Sequence, residues 1–338
     1  MSVGIDIGTR TIKMVELEPS GKGFKLRAAG VLGYKGVTVQ KLEEEKDFGA
    51  LAEVVKKLHT DAKISSKEIV LALPEDEVFT RTIKFPPLTD QEIASAVKWE
   101  AEQYIPIPIA EAIVQHQILE RIKEATPPEV VVLLVAAPRS LVEKYVKVIH
   151  MARLSPVAVE TDLMALTRSL APPDKIVLII DFGAKSTDMA IAKNGMLAFS
   201  RSIPTAGEAF TRAVAQALGV EAMQAEEYKR TYGLIGGKLE GKVKTALDPV
   251  FRVVIDEIKK AVHYYQSEER GDIPKSVILS GGTAGMPEAL SFLSKLLEME
   301  VEIGNPFKNV AVEAEMEKSL AGYAPLYSIA VGLAMRGF

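Results

Sequence analysis

Apolar residues along the chain run in short stretches separated by polar turns, and two of these stretches follow almost the same pattern. Residues 3–17 read VGIDIGTRTIKMVEL, and residues 177–191 read VLIIDFGAKSTDMAI. In both, an apolar run ends in Asp, turns through Gly and small polar or basic residues, and then becomes apolar again. Each pattern predicts a strand, a tight turn and a returning strand.

The two hairpins align position by position, which indicates an internal duplication of the fold. Turn amides and hydroxyl groups can wrap a phosphate, and carboxylates beside them can hold a hydrated Mg²⁺. Two ordinary hairpins with acidic turns remain the alternative interpretation of these residues alone. The aligned pairs are Asp6 with Asp181, Gly8 with Gly183, Arg10 with Lys185, and Thr11 with Ser186.

The rest of the chain alternates between helical and strand periodicity, which predicts an α/β protein. Thr89 and Glu92 have the spacing of a capping box, so a helix is expected from there to Tyr104. Further strands are predicted at 24–31, 68–73, 78–85, 113–119, 129–136 and 276–279, and further helices at 47–60, 140–151, 160–170, 206–218, 221–232, 248–268 and 328–337.

A glycine-rich turn follows the strand predicted at 276–279. It reads SGGTAG at 280–285 and precedes a helix expected to start at Pro287. A strand, a glycine turn and a helix in this order let the backbone lie against a flat ring or a phosphate. This turn is therefore a second candidate for nucleotide contacts.

Residues 84–159 are predicted to form a separate small module with the order α-β-β-α-β. No set of residues in it has the spacing of a catalytic or metal site. Its two histidines, His116 and His150, lack ligand-spaced partners and are interpreted as solvated or core residues. A module without chemistry of its own is a reasonable place for contacts with another protein.

Composition narrows the functional classes. The chain has 338 residues, 48% of them hydrophobic, which is enough for at least two domains. A net charge of −4 argues against nucleic-acid binding, and the absence of Cys excludes disulfides and thiolate sites. The start of the chain shows no basic and apolar leader, and the longest apolar run, Val130–Ala137, is too short to span a bilayer. A cytoplasmic protein without a transmembrane segment is expected.

Taken in order, these pieces resemble the actin, Hsp70 and sugar-kinase superfamily over essentially the whole chain. Five superfamily motifs have counterparts here: two phosphate loops, two connecting helices and an adenosine loop. They lie at 6–13, 159–166, 181–188, 280–285 and 328–337.

This resemblance implies a two-lobed, duplicated actin-like (ribonuclease H-like) α/β fold with an FtsA-type 1C subdomain inserted in the first lobe. By the same comparison the inserted subdomain carries the partner contacts. The implied boundaries are 1–83, 160–173 and 311–338 for lobe 1 (1A), 84–159 for the insertion, 174–204 and 271–310 for lobe 2 (2A), and 205–270 for a helical adenosine-side subdomain (2B).

Within the superfamily the chain is most similar to the PilM family of type IV pilus assembly. The similarity is carried by residues 83–112, by GNPF at 304–307 and by the terminal GLAMRGF. It implies a cytoplasmic scaffold that binds ATP with Mg²⁺. It also implies binding of the N-terminal cytoplasmic peptide of an inner-membrane PilN-like protein, contacts with other inner-membrane pilus assembly proteins, and thereby a place at the inner membrane.

The resemblance also implies roles for individual residues. Asp6 and Asp181 would hold Mg²⁺ largely through water, and Glu160, together with Asp181, would position the attacking water. The implied phosphate contacts are Gly8, Thr9, Arg10, Thr11, Lys13, Gly183, Lys185, Ser186 and Thr187. The implied adenosine-side contacts are Gly207, Glu226, Lys229, Gly281, Gly282, Thr283 and Met286.

Two other functions of the same fold stay open at this point. One is an FtsA-like, filament-forming ATPase of cell division, and the other is a small-molecule kinase. The expected ATPase activity is slow at most, and the sequence leaves the oligomeric state open, a homo-oligomer included.

Overall fold

The computed structural model describes residues 1–21, 23–267, 271–320 and 322–337. Its strands follow the predicted hairpins and add several that periodicity did not indicate. In chain order they are β1 (Ser2–Ile7), β2 (Thr11–Ser20), β3 (Gly23–Gly33), β4 (Glu68–Leu73), β5 (Phe79–Phe85), β6 (Ala112–Ile122), β7 (Glu129–Pro138), β8 (Ser155–Thr161), β9 (Ile176–Phe182), β10 (Thr187–Lys193), β11 (Met196–Ile203), β12 (Ser276–Gly281), β13 (Glu300–Ile303) and β14 (Val310–Ala311).

The helices cover the faces of the sheets. Within the described ranges, no helix is both long and apolar enough to cross a bilayer. They are α1 (Glu45–Asp61), α2 (Asp90–Tyr104), α3 (Arg139–Met151), α4 (Asp162–Leu170), α5 (Gly207–Leu218), α6 (Ala222–Tyr232), α7 (Lys242–Ser267), α8 (Ala289–Leu297), α9 (Ala314–Leu320) and α10 (Ser328–Arg336), with a 3₁₀ turn at Glu75–Glu77.

Two sheets with the same core topology form the centres of two lobes. Lobe 1 has the order β14-β3-β2-β1-β4-β8, and lobe 2 has the order β11-β10-β9-β12-β13. In each sheet an antiparallel hairpin, β1–β2 or β9–β10, is followed by two parallel strands. The duplication predicted from the repeated hairpins is therefore confirmed.

Each sheet has its own apolar core. In lobe 1, α1 and α3 bury one face of the sheet around Leu51 and Tyr145, and α10 covers the other face. In lobe 2, Phe210 of α5 stacks on Phe251 of α7, with ring centroids 4.3 Å apart. Both rings pack beside Phe182 at the end of β9. The last residues of β9, from which the second loop leaves, are thereby anchored in the core.

A third, smaller sheet stands beside the lobes, with β7 between β5 and β6 and with α2 packed on one face. The capping box predicted for Thr89 and Glu92 is present at the start of α2. The sheet pairing changes the limits of the module from those expected at 84–159. Strand β5 belongs to the small sheet, whereas α3 packs in lobe 1 and β8 pairs in parallel with β4.

The helix expected at 160–170 begins two residues later than predicted. Glu160 and Thr161 end β8, because their backbones pair with the end of β4. The side chain of Thr161 then accepts a hydrogen bond from the backbone N–H of Met164, which caps α4. The acidic residues on either side of Thr161 therefore have different surroundings. Glu160 contacts Arg168, and Asp162 lines the cleft between the lobes.

Two ends of predicted segments fall partly outside the described residues. The long helix expected at 248–268 begins earlier, at Lys242, and residue 268 lies outside the described residues. The terminal connecting helix ends at Arg336, and Phe338 of the terminal motif also lies outside them.

Helices α4 and α10 join the two lobes by crossing at very close range. Leu166 of α4 packs against the sheet of lobe 2, while Val331 of α10 packs against the sheet of lobe 1. At the crossing, a Cβ atom on Gly332 would lie 1.8 Å from the backbone oxygen of Ala165. Only glycine at position 332 allows this approach.

We expect Gly332→Ala to lower the free energy of unfolding by about 2 kcal/mol or more, because the helices must separate to admit the methyl group. Urea unfolding measures the loss. The matched control is Gly236→Ala, since no atom lies within 4 Å of a Cβ there and its backbone is not left-handed. Equal stability of the two variants would contradict the close crossing.

Candidate functional site: the cleft between the lobes

A cleft of about 1350 Å³ lies between the lobes, and both repeated turns open into it. Sixteen predicted site residues line this single cleft, although they come from distant parts of the chain. They are Asp6, Gly8, Thr9, Arg10, Thr11, Lys13, Asp181, Gly183, Lys185, Ser186, Gly207, Glu226, Lys229, Gly281, Gly282 and Thr283.

The first turn is a closed loop between β1 and β2. The backbone N–H of Gly8 donates to the oxygen of Thr11 at 3.1 Å. Asp6 and Lys13 are opposite each other in the hairpin, and their side chains form an ion pair of 2.8 Å that is almost buried. Lys13 is thereby held beside the loop, where a phosphate oxygen would meet its positive charge.

The second turn has the same hydrogen bond as the first, but the residue opposite its Asp is acidic where the first hairpin has a Lys. The N–H of Gly183 donates to the oxygen of Ser186 at 3.0 Å. The residue opposite Asp181 is Asp188, in the place that Lys13 has in the first hairpin. Hydroxyl groups of Ser186 and Ser202 donate to the Asp188 carboxylate. The second loop therefore brings two carboxylates to the cleft.

Buried carboxylates accumulate at the floor of the cleft, and burial is the main cause of their raised pKa values. The pKa of Asp181 is raised to about 6, and that of Asp188 to about 7, where the Asp181 charge adds to the burial. Next to them, burial and the charge of Asp188 raise the pKa of Glu75 to about 8. Burial and the charges of Asp188 and Glu75 raise the pKa of Asp162 as well.

The carboxylate oxygens at the floor of the cleft are ligands that fit a hydrated magnesium ion. Oxygen ligands suit Mg²⁺, which keeps several waters and usually takes one or two carboxylates directly. Among the described residues, no three His, Asp or Glu side chains converge closely enough to hold a metal directly. One oxygen of Asp162 is shielded from solvent and has no hydrogen-bond partner among the residues that the structure describes. A cation held largely through water would relieve the mutual repulsion of these carboxylates.

The opposite side of the cleft is formed by the start of α5 and by α6. The buried ammonium group of Lys229 donates to the Gly207 oxygen at 3.1 Å, to the Thr211 hydroxyl at 3.0 Å and to Glu226 at 2.6 Å. Burial lowers the pKa of Lys229, and the ion pair with Glu226 opposes that effect. These contacts hold α5 and α6 together and fix the wall of the cleft.

Gly281 shows why the glycine turn after β12 needs its glycine. Its φ is +85°, and a Cβ atom there would lie 2.4 Å from the backbone oxygen of Phe182. The turn therefore lies directly against the end of β9, beside Asp181. A side chain at this position would push the turn away from the second loop.

Three predicted site residues lie away from the cleft lining. Both oxygens of Glu160 are bound by Arg168, at 2.6 and 2.7 Å, and Arg336 adds a contact of 3.3 Å. The hydroxyl of Thr187 donates to the backbone oxygen of Thr205. Met286 is buried in the core of lobe 2.

Among the cleft-lining residues that the sequence analysis missed are the carboxylates Asp188 and Asp162. Asp188 becomes visible when the alignment of the two hairpins is extended by two positions, because it then matches Lys13. No pattern in the sequence indicated Asp162. Its carboxylate faces the cleft, and that of Glu160 does not, because α4 starts at Asp162.

Comparison with known proteins decides the family. Residues 4–338 match the family described as type IV pilus assembly protein PilM. The chain belongs to the PilM family. A solved structure described as a PilM-PilN type IV pilus biogenesis complex is similar over 99% of this chain and 98% of that chain, with a TM-score of 0.84 and 28% sequence identity.

More distant structures show that the fold is actin-like, as the sequence predicted. EutJ of Carboxydothermus hydrogenoformans has a TM-score of 0.60 at 16% identity, over 99% of this chain and 89% of that one. MreB5 of Spiroplasma citri, solved with ADP, has a TM-score of 0.55 at 13% identity, over 98% and 94%.

Among curated proteins, the PilM-family chain is similar to the cell division protein FtsA. FtsA of Pseudomonas aeruginosa is 30% identical over 183 residues, which cover 48% of this chain and 42% of that protein. FtsA of Bacillus subtilis is 25% identical over 149 residues, which cover 38% and 34%. The chain thus spans well under half the length of these relatives.

The raised pKa of Glu75 predicts a pH dependence of stability. The folded protein holds the proton of Glu75 more tightly than the unfolded chain does. The resulting contribution of Glu75 to the free energy of unfolding is fully present below its ordinary pKa of 4.5 and is lost as the pH rises through about 8. Each unit of raised pKa corresponds to about 1.4 kcal/mol. Urea unfolding between pH 5 and 8 should show this loss in the wild type and a smaller loss in Glu75→Gln.

The control for this measurement is Glu43→Gln, because Glu43 is exposed and is not one of the residues that line the cleft. Its stability should follow the wild-type pH curve. Parallel curves for Glu75→Gln and the wild type would show that Glu75 is not held protonated.

Proposed function

We propose that this PilM-family chain is an ATP-binding, actin-like scaffold of type IV pilus assembly. It binds ATP with Mg²⁺ between its lobes and the cytoplasmic tail of a PilN-like inner-membrane protein on its surface. One observation carries the proposal: two loops with the same glycine-to-third-residue hydrogen bond open into one cleft.

The phosphate end of the nucleotide is assigned to the two loops. Amide groups of the loops and the hydroxyls of Thr9 and Thr11 are donors that suit phosphate oxygens. Positive charge is available on both sides, from Lys13 in lobe 1 and Lys185 in lobe 2. The N-terminus of α5 also points at the second loop, since the N–H of Gly207 donates to the Gly183 oxygen at 3.2 Å, and helix N-termini favour anions.

Magnesium is assigned to Asp6 and Asp181, largely through water. When bound, the ion neutralises charge on the phosphates. The carboxylates themselves orient the water shell, and the Lys13 ammonium group forms an ion pair of 2.8 Å with Asp6. The adenosine is assigned to Gly281, Gly282 and Thr283 on one side, and to the wall built from Glu226 and Lys229 on the other.

Nucleotide binding is proposed to favour closure of the two lobes. Arg10 in the first loop and Glu208 in α5 already form an ion pair of 2.8 Å across the cleft mouth. This pair is exposed and contributes little stability on its own. A triphosphate that contacts both loops would favour the closed arrangement, because its contacts with both sides exist only when the lobes are close. Hydrolysis is proposed to be slow.

The partner site is assigned to the small sheet unit, which we define as residues 79–138. Its counterpart in FtsA-like proteins is the inserted 1C subdomain. It carries Trp99, whose surface is 65% exposed, and solvent-exposed tryptophans are typical of recognition surfaces. The solved PilM-PilN complex, similar over nearly the whole chain, supports a PilN-like partner. The chain would then act in the cytoplasm and be held at the inner membrane through that partner.

ATP with Mg²⁺ should stabilise the folded protein. At a concentration of 100 times the dissociation constant the gain is about 2.7 kcal/mol, which for a chain of this size raises the melting temperature by about 4 °C. Asp6→Asn should abolish the Mg²⁺-dependent part of this rise, whereas the exposed Asp174→Asn should keep it. Differential scanning fluorimetry measures both. Identical shifts in all three proteins would exclude the assigned metal site.

A synthetic peptide with the N-terminal cytoplasmic sequence of the host's PilN-like protein should bind saturably to the full chain, measured by fluorescence anisotropy. Trp99→Ala should weaken that binding without lowering the melting temperature, because the side chain is largely exposed. A scrambled peptide is the control. Saturable binding that is unchanged by Trp99→Ala would place the partner elsewhere on the surface, and equal binding of the scrambled peptide would remove the partner assignment.

A further inference from the structure

The segment between β3 and α1, residues 34–44, lines the cleft although no motif in the sequence indicated it. We call this segment the connector. Its side chains Tyr34, Val39 and Leu42 are buried in the lobe 1 core. The connector residues that are not buried and line the cleft are Lys35, Thr38, Gln40 and Lys41. Buried anchors therefore hold a polar and basic surface against the cleft.

The connector begins directly beside the first loop. In the ladder of β2 and β3, Thr11 is paired with Gly33. The next backbone N–H, that of Tyr34, donates to the Arg10 oxygen at 2.9 Å. The Tyr34 hydroxyl then donates to the Val37 oxygen at 2.8 Å, which closes the start of the connector into a turn. The connector is thereby fixed to a loop that is assigned to phosphates.

The far end of the connector is held by α3. A 3₁₀ turn, Val39–Lys41, forms there, and the backbone N–H of Lys41 donates to the Thr38 oxygen at 2.9 Å. The ammonium group of Lys144 in α3 donates to the Gln40 oxygen at 2.8 Å. The backbone of Lys41 is therefore held in place, while its side chain stays exposed.

Lys144 also relates the connector to the second loop, through the 3₁₀ turn Glu75–Glu77. Burial and the charge of Asp76 raise the pKa of Glu77, and the charge of Lys144 opposes that rise. Burial raises the pKa of Asp76 itself, and the charge of Lys185 in the second loop opposes it. The connector therefore lies at the end of the cleft where the two loops face each other.

The ammonium groups of Lys35 and Lys41 have no counter-ion in the part of the chain that the structure describes. Lys13, in the nearby loop, is paired with Asp6, whereas neither connector lysine takes part in an ion pair or a side-chain hydrogen bond there. A lysine is a compact charge on a flexible stem, so it can reach a phosphate without an exact fit. Two such charges on one wall favour an anion at this end of the cleft.

We propose that Lys35 and Lys41 bind the terminal phosphate of the nucleotide and make the cleft prefer ATP to ADP. The inference rests on the proposed function and assigns the choice between the two nucleotides to a segment outside both loops. The phosphates that ATP and ADP share are left to the loop amides and Lys13. The terminal phosphate is present in ATP alone, so charges that reach only this group increase the affinity for ATP and not for ADP.

The test compares the wild type with Lys35→Gln, Lys41→Gln, their combination and Lys41→Arg, all as full chains. Isothermal titration calorimetry with Mg²⁺ present gives the dissociation constants of ATP and ADP. Glutamine removes the charge but keeps a polar side chain. The matched control is Lys67→Gln, because Lys67 is also exposed and does not line the cleft.

The double variant should bind ATP about 10-fold more weakly, and each single glutamine variant about threefold, because exposed charges each contribute little. The affinity for ADP should stay within about twofold in all of them. Lys41→Arg keeps the charge and should keep the preference for ATP, as should Lys67→Gln. Melting temperatures should match the wild type, since both side chains are exposed.

Salt provides a second readout that a merely structural role would not change. Raising NaCl from about 50 mM to about 500 mM screens exposed charges. The ratio of the ADP to the ATP dissociation constant should therefore fall with salt in the wild type and Lys67→Gln. It should change much less in the double variant, because the two charges that produce the preference are gone.

Two results would overturn the inference. One is an unchanged ATP dissociation constant in the double variant. The other is an equal loss of affinity for ATP and ADP, which would place the lysines at a phosphate that both nucleotides carry. In both cases the wild type would still bind ATP, and the proposed function would stand. Failure of the wild type to bind ATP at all would remove the proposed function, and the inference with it.

Discussion

The crossing of α4 and α10 fixes how the two lobes face each other. The helices pack on different sheets, and they approach so closely that Gly332 lies against the backbone of Ala165. Glu160 strengthens the same junction through its contacts with Arg168 and Arg336. Because both glycine loops extend from strands packed against these helices, their separation across the cleft is set at this crossing.

The cleft combines two groups of charged side chains. Lys13 and Lys185 offer positive charge around the loops, while the half-buried Asp162 and Asp181 and the buried Asp188 bring carboxylates to the floor. A nucleotide with its metal presents negative phosphates to the first group and positive charge to the second. The proposed complex of a nucleotide with its metal would therefore match both groups of charges, whereas neither component alone would.

The sequence predicted the duplicated α/β fold, and most of the residues it proposed for the site line the cleft, because its strongest signals are local. A strand ending in Asp and then Gly is readable in one dimension, and so is its repetition at Asp6 and Asp181. What it missed depends on pairing between distant segments. Strand β8 belongs to the lobe 1 sheet because it pairs with β4, which is far away in the chain. Because of that pairing, α4 starts at Asp162 and not at residue 160 as predicted. Asp162 therefore lies in the position facing the cleft that the sequence analysis expected for Glu160.

Thr187 and Met286 illustrate the same limit at single positions. Thr187 aligns with the buried Ile12 of the first hairpin, so its side chain points into the structure and donates to Thr205. Met286 follows a glycine turn that does line the cleft, but the turn directs it into the lobe 2 core. Residue type and neighbourhood suggested ligand contacts for both, while the direction of the side chain is decided by tertiary packing.

The central claim is that both glycine loops hold one nucleotide between them. A crystal structure of the chain with Mg²⁺ and a non-hydrolysable ATP analogue tests it most directly. The account predicts phosphate density between the turns at Gly8 and Gly183, with the metal between Asp6 and Asp181. Nucleotide density bound to one lobe only, or outside the cleft, would contradict it.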